Sequence, residues 1–573
     1  MRYMVDPQQS CLFDVAESMY SPGALKLLRN DWPQVFRTAL LHLMPVGQLA
    51  EHFHPVLGNP TKELYSMAGA IFLKEFFNLT IEQTVRAFML DASWMYALNV
   101  EPMTTSMSHA SIERYSALLM EDDLAVDIFN DVTAALIAAL DLDVSRQRLD
   151  STHIESDMAV FGRTRLMAVT IKRFLVQIKR HQVQLYNQLP PDLLERYAPA
   201  DSQMFGRYKG DRHKMRQTMA EDLLLLVGRF AGNANVASRS SYKALARVLA
   251  EQCDVLEETV VVKSKIEGGD GLQNPSDPDA TYSGHKGAGY SVQISQTCTE
   301  GNDAQFITAV QVDPAHKSDQ NAVEPMIEQL AAQGLAPELM YADQGYGGDE
   351  GVQIAQEHGV DLQSPVSGQE AAADKLTIDD FVIDEKTETV DCCPNGCVPQ
   401  SSRVDPATGR TRTVMRTQDC YACEFRAKCA IRQAGKEFVL IHTPKQRRCA
   451  ERRAEQATGA FGENYSIRSG LESTNSALKR ATGLGRLRTR GLARMRMGVL
   501  LRCAGWNMKR ATAALKARAS KAGIALITAL KSAVSRLSKH CHVHKVCHGP
   551  FANSDPGLTE FLWHIPPRQQ AAA

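Results

Sequence analysis

The chain has 573 residues, which corresponds to roughly three or four domain-sized units. Hydrophobic residues make up 44% and charged residues 23%, which excludes a disordered or fibrous protein and leaves a globular one with sizeable cores. Net charge is only −1, yet from Asn464 to Lys521 ten Arg and four Lys stand against one acid, Glu472, so that window carries +13 and the rest of the chain −14.

A charge run is usually a solvated helix face. Here one carboxylate cannot balance the block by pairing within the helix, which favours a surface that meets nucleic acid. No apolar run is long enough to span a bilayer, and the start, MRYMVDPQQSCLFDV, lacks the apolar stretch of a secretory signal. A cytoplasmic, nucleoid-associated protein with no membrane partner is expected. Thirteen cysteines in this length do not suggest a secreted disulfide scaffold, but six of them crowd into 392–429.

Taken in chain order, residues 20–125 read as helical. Thr80-Ile81-Glu82-Gln83 fits a capping box that opens an apolar helix through Val85, Phe88 and Met89, and another helix is predicted after Ser108. This all-α unit, 1–140, is expected to bind DNA or help assemble subunits, with a plain packing role equally open. VSRQRLDSTHI at 144–154 has strand character, with Asp150 in its second half. Ala168, Ile171, Leu175 and Ile178 then recur at helical spacing, and EDLLLLVGRF at 221–230 continues the pattern. A helical insertion over 156–274 follows from this, ending where the chain turns Gly-, Asp- and Pro-rich near 267–281.

GYSVQISQT at 289–297 and FITAVQV at 306–312 alternate like paired strands around a turn with Gly301-Asn302-Asp303. Residues 320–333 predict a helix, LMYAD at 339–343 a strand, and VDLQSPV at 360–366 another. An acidic, then Cys-rich insertion spans 368–436. Phe438 to His442 is a short apolar strand, helices run to about 520, and the tail 521–573 is expected to end loosely. The strands and later helices predict a mixed α/β core made of 141–155, 275–367 and 437–520.

The most informative segment is NYSIRSGLESTNSALKR at 464–480. Tyr465, Arg468, Glu472 and Lys479 would fall within a stripe about 60° wide on a continuous helix. A carboxylate, two cations and a phenol make a poor core face but a sensible active-site wall. The carboxylate can hold a metal while Arg and Lys meet phosphates.

This spacing resembles the Y-(2)-R-(3)-E-(6)-K signature of bacterial insertion-sequence transposases of the DDE type. That resemblance predicts two upstream aspartates at strand ends. LDSTHI supplies Asp150, and MYADQGYGG supplies Asp343 ahead of Gly345-Tyr346-Gly347-Gly348. An Asp at a strand end is by itself more often a turn residue. The resemblance implies an α/β RNase H-like catalytic core with Asp150 on its first strand, Asp343 on its fourth and Glu472 on a later helix. It also implies catalysis by two Mg²⁺ or Mn²⁺ ions, for which hard carboxylate oxygens are the right ligands.

The N-terminal helices and DPDATYSGHKGAGYSVQ at 277–293 look like the insertion-sequence group called "eleven eighty-two". There, His285 and Lys286 are candidates to approach DNA, and a solvent-facing strand start is at least as good a reading. Implied partners are double-stranded DNA, both terminal inverted repeats and target, with a homodimer in the DNA complex. Some relatives use a tryptophan to hold a flipped base, but Trp32, Trp94, Trp506 and Trp563 lie in no segment that matches this role. A catalytically idle DNA-binding regulator, or a nuclease that cuts without joining, stays open beside the transposase reading.

Two further motifs stand out. Cys393 (or Cys392), Cys397, Cys420, Cys423 and Cys429 have the spacing of a structural Zn²⁺ site, with Cys393, Cys420, Cys423 and Cys429 the best four and Cys397 competing. A second group, His540, Cys541, His542, His544, Cys547 and His548, lacks clear spacing and reads as incidental. After Lys479, GLGRLRTRGLARMRM brings Arg486, Arg488, Arg490, Arg494 and Arg496, expected to contact the DNA backbone without reading sequence.

Overall fold

The computed structural model describes residues 1–9, 14–101, 105–198, 211–257, 259–266, 268–366 and 375–540. Cys541 to His548 and Trp563, and with them the second His/Cys group apart from His540, lie outside the described residues. Among the described residues no helix is long and apolar enough to cross a membrane.

The centre is a mixed sheet of β1 (Arg146–Ile154), β2 (Gly287–Thr297), β3 (Ile307–Pro314), β4 (Leu339–Ala342) and β5 (Asp361–Gln363). Its order is β3-β2-β1-β4-β5. β2 runs antiparallel to both β1 and β3, whereas β4 is parallel to β1 and β5 to β4. Parallel neighbours need crossovers, and the helices Val323–Ala332 and Asp349–Glu357 supply them before β4 and β5. A short strand, Thr281–Ser283, pairs with the start of β2 and closes a hairpin whose tip carries His285 and Lys286.

β2 alternates apolar and polar side chains, yet from Gly289 to Thr297 every residue is buried. The polar members meet partners instead of water. Ser295 Oγ donates to Gln147 Oε1 at 2.7 Å, and Gln296 Oε1 accepts from Arg148 Nη2 at 2.8 Å. A buried polar group is tolerated when it is bonded in this way.

Long helices cover the sheet. α1 (Leu64–Phe76) and α2 (Leu124–Leu140) come from the N-terminal unit, and α6 (Leu492–Ala522) from the C-terminal part. The capping box at Thr80 and Gln83 is present and starts the helix Ile81–Leu90. α6 packs on α1, α2 and β3 at once, so a single hydrophobic core runs from Val35 through the sheet to Ala533. The N-terminal helices therefore share their core with the sheet. Asn507 on α6 donates to Ile307 O at 2.7 Å and accepts from Ile307 N at 2.9 Å, which covers the edge of β3.

The insertion after β1 has its own core around Phe174, Leu223 and Leu245. The Cys-rich unit has a third, small core around Phe381, Met415 and Phe438. Here one expected boundary is corrected. The predicted strand at 438–442 exists as Glu437–His442, but it pairs with Thr411–Met415 inside the Cys-rich unit and not with the central sheet. Its side chains Phe438 and Leu440 belong to that unit's core.

The basic block is also not all surface. Arg502 on α6 is buried against Glu75 of α1, each with only 4% of its side chain exposed. Arg502 also donates to Thr482 O at 3.0 Å and Gly498 O at 2.9 Å. Burial pushes the Glu75 carboxyl up, but Arg502 and Lys74 outweigh it and hold the value down at about 2, from an ordinary 4.5. The stabilisation from this pair is therefore full above the ordinary value and is lost as pH falls through about 2. Glu75→Gln should cost about 3–5 kcal/mol at pH 7, because it leaves Arg502 buried without its charge partner. Urea unfolding at pH 7 and pH 3 checks this, and the difference from wild type should be smaller at the lower pH.

Candidate active site

β1 and β4 set the first part of the site. Their parallel register ends at Leu149↔Ala342, so Asp150 and Asp343 are the next residues on adjacent strands. Neighbouring strands lie about 4.8 Å apart, so the two acids emerge side by side. Asp343 then turns the chain: its Oδ1 accepts from Gln344 N at 2.8 Å, and its carbonyl accepts from Ser364 Oγ at 2.6 Å. Gly347 in that turn must be glycine, since a Cβ would stand 1.9 Å from Pro365 O.

The second part comes from the segment with the Y-R-E-K spacing. It is not the one continuous helix that the spacing predicts. α4 (Gly459–Tyr465) ends at Tyr465, a 3-10 turn covers Ser466–Ser469, and α5 (Gly470–Thr482) begins after it. A 3-10 turn advances about 120° per residue, so the calculated stripe does not hold across the break. Arg148 of β1 fixes the turn by donating to Ile467 O at 2.7 Å. Gly470 makes room for this, because a Cβ there would lie 2.1 Å from Arg148 Nη1.

The turn places Arg468 among three acids. Its guanidinium lies 3.8 Å from Asp150 Oδ2, 3.9 Å from Asp343 Oδ1 and 3.4 Å from Glu472 Oε1. Arg468 and Asp150 are largely covered, with side-chain exposures of 15% and 13%, whereas Asp343 at 53% and Glu472 at 64% face solvent. Burial pushes the Asp150 carboxyl above its ordinary value, and the Arg468 charge works against that rise. Among the described residues no three His, Cys, Asp or Glu side chains are already gathered as metal ligands. At this site the shared cation is a guanidinium, and the surrounding donors are hard carboxylate oxygens.

Tyr465 and Lys479 face inward to the strands. Tyr465 donates to Ala342 O at 2.9 Å, one residue before Asp343, and stacks on Phe461. Burial pushes its phenol up to about 12, so it stays a donor. Lys479 donates to His153 O at 2.8 Å and ties α5 to the end of β1. Burial lowers its value, and Lys286 adds to the effect. In this arrangement both side chains hold backbone, Lys479 where a phosphate contact was expected.

One acid near the site escaped the sequence reading. Asp319 accepts from Ser151 Oγ at 3.2 Å and from Gln293 Nε2 at 2.9 Å, while Lys286 Nζ donates to the same Ser151 Oγ at 2.8 Å. Its segment, HKSDQ, reads as a polar turn, and only the spacing of one acid shortly after a strand could have drawn notice.

Arg486, Arg488 and Arg490 lie beside the end of β1, and Arg494 and Arg496 follow on α6, where Arg496 pairs with Asp123 at 2.6 Å. Glu155 N donates to Gly485 O at 3.0 Å and Leu487 N to Glu155 O at 2.8 Å, so this segment pairs beside the residue that follows β1. Leu484 and Leu487 turn inward, while Arg486, Arg488, Arg490, Arg494 and Arg496 are exposed. Arg486 and Arg490 share Asp157, at 4.0 and 3.5 Å. Exposed pairs of this kind are weak, so a phosphate can compete for these side chains.

Residues 392–512 match the family model described as "Transposase DDE domain". The match supports a DDE transposase. It contains Arg468, Glu472, the Cys-rich unit from Cys392 on and the exposed arginines, but neither Asp150 nor Asp343. Those two acids are joined to Glu472 by geometry. No curated protein and no solved structure matches the chain.

The raised Asp150 value has a consequence for stability. An acid whose folded value lies above its unfolded one destabilises the fold when ionised, and the cost is relieved as pH falls through the folded value. Asp150→Asn should therefore leave the metal-free protein as stable as wild type, or more stable, at pH 7 in thermal unfolding. A loss of the ordinary size, about 1 kcal/mol, would contradict this.

Proposed function

We propose that this protein is an insertion-sequence transposase that binds element ends and cuts and joins DNA on two divalent ions held by Asp150, Asp343 and Glu472. The observation that carries the reading is the convergence of these three acids, from two strands and a distant helix, on Arg468. We read the sheet order β3-β2-β1-β4-β5, with acids at the ends of β1 and β4, as an RNase H-like core. The Y-R-E-K spacing favours the insertion-sequence type, and the N-terminal helices with the segment 277–293 favour the "eleven eighty-two" group.

The donor set suits Mg²⁺ or Mn²⁺, since it is all oxygen with no soft ligand among the three. When bound, two such ions activate a water or 3′-hydroxyl and stabilise the departing oxygen. The chain's own residues do the rest. Arg468 offsets the carboxylates until cations take that task, and its guanidinium is then free to meet a phosphate. Tyr465 and Lys479 keep the ends of β4 and β1 in place, so that Asp343 and Asp150 stay in register. Arg486, Arg488, Arg490 and Arg494 hold the DNA backbone, which positions the duplex without reading its sequence.

Asp150→Ala, Asp343→Ala and Glu472→Ala should each reduce cleavage of element-end DNA to background while binding is retained. Full activity in any one removes that residue from the site. Wild type with Mg²⁺ should give strand-transfer products, whereas hydrolysis alone would favour a nuclease. Replacing Arg486, Arg488 and Arg490 together should weaken binding to all sequences alike. It should also reduce the salt slope by about 1 per arginine, read from titrations at several salt concentrations.

A further inference from the structure

The chemistry above makes no use of the Cys-rich unit, although the unit is built around its thiols. Cys393, Cys397, Cys420, Cys423 and Cys429 line one cavity of about 30 Å³, and Arg426 lines it too. That space exceeds the roughly 10–15 Å³ that one water needs, enough for a single ion. All five cysteines are free, Cys393 is buried, and the other four are half-buried.

Three short elements deliver them. Cys393 and Cys397 flank a tight turn closed by Gly396 N to Cys393 O at 2.8 Å and Cys393 N to Cys397 O at 3.0 Å. Gly396 takes the left-handed backbone that the turn needs, with φ 73°. Cys420 and Cys423 lie at the end of the helix Thr417–Ala422, and Cys429 precedes the strand Arg432–Ala434. Cys420 is within electrostatic reach of Cys429, Cys393 and Cys423, and Cys429 of Cys423 and Cys393. Cys397 reaches Cys393 and Cys423, but its Sγ also turns to the backbone, at 3.9 Å from Asn395 O.

A core of six buried residues is thin for a unit of this size, and such units usually need a staple. No disulfide provides one here. Soft sulfur donors on two turns and a helix end match tetrahedral zinc, which needs the thiols only to give up protons and rotate inward. We propose that this cavity holds one zinc ion on Cys393, Cys420, Cys423 and Cys429, with Cys397 outside the ligand set. Four thiolates on Zn²⁺ leave a net −2, which Arg426 partly offsets.

The site also has a place in the larger structure. The strand Glu437–His442 leads straight into α3 (Pro444–Gln456). Arg447 and Arg453 of α3 pair with Glu388 at 2.9 Å and Asp379 at 2.6 Å, which secures the Cys-rich side. Arg448 pairs with Asp349 at 2.7 Å, and Arg452 donates to Gly347 O at 3.1 Å and Ser364 O at 2.8 Å. Zinc would stiffen one jaw of a clamp whose other jaw is the loop after Asp343.

Metal analysis of the full chain, purified without chelator, should find roughly one zinc per chain. Replacement by Co²⁺ should give the intense visible bands of a tetrahedral thiolate site. Cys420→Ser and Cys429→Ser should lose the zinc and Cys397→Ser should keep it. A folded, zinc-free wild type that gives no such Co²⁺ spectrum overturns the site. Retention in Cys393→Ser with loss in Cys397→Ser overturns the ligand set. If the Ser variants are insoluble, the wild-type Co²⁺ spectrum still decides. Asp150→Ala should carry the same zinc, so a failure of the catalytic reading is seen separately from a failure of this one.

Discussion

Three carboxylates cannot sit together without a cation, and in this protein Arg468 is that cation. Two unit charges about 4 Å apart interact by about 4 kcal/mol at an effective dielectric of 20, and much less where water reaches them. Asp343 and Glu472 are more than half exposed, so solvent screens their share. The covered pair Asp150–Arg468 is the least screened of the three contacts. Arg468 in turn depends on the 3-10 turn, the turn on Arg148, and the position of Arg148 on Gly470 having no side chain.

The rest of the fold serves to bring these residues together across more than 300 positions of chain. Register alone aligns Asp150 with Asp343, since β1 and β4 are parallel neighbours whose pairing stops one residue before both. Glu472 needs more support. α6 reaches back through the N-terminal helices, where Arg502 and Glu75 lock it and Asn507 grips the edge of β3. Arg502 also bonds Thr482 O at the end of α5, so the Glu472 helix is tied to the same buried contact. The insertion after β1 and the Cys-rich unit keep separate cores.

Much of this was legible in the sequence because the signals are local. The strands of the central sheet and the capping box at Thr80 follow from spacing within a few residues. What could not be read depends on partners far along the chain. β2 alternates apolar and polar, and it takes partners in other segments, among them Gln147, Arg148, Asp319 and Tyr346, to bury its polar side. The break between α4 and α5 is set by Arg148, more than 300 residues earlier. Arg502 counts as one more charge in a basic run until Glu75 is placed opposite it. Composition likewise marks the Cys-rich segment as distinct, but does not show that the strand ending at His442 pairs within it.

The central claim is that these acids form one metal site that Arg468 occupies in the absence of metal. Crystals of the protein with element-end DNA and Mn²⁺, measured for anomalous scattering, test it most directly. The account predicts two peaks about 4 Å apart, in contact with Asp150 and flanked by Asp343 and Glu472, with the Arg468 guanidinium displaced from among them. Ordered Mn²⁺ bound elsewhere, with Arg468 still between the three carboxylates and the DNA end in place, would contradict it.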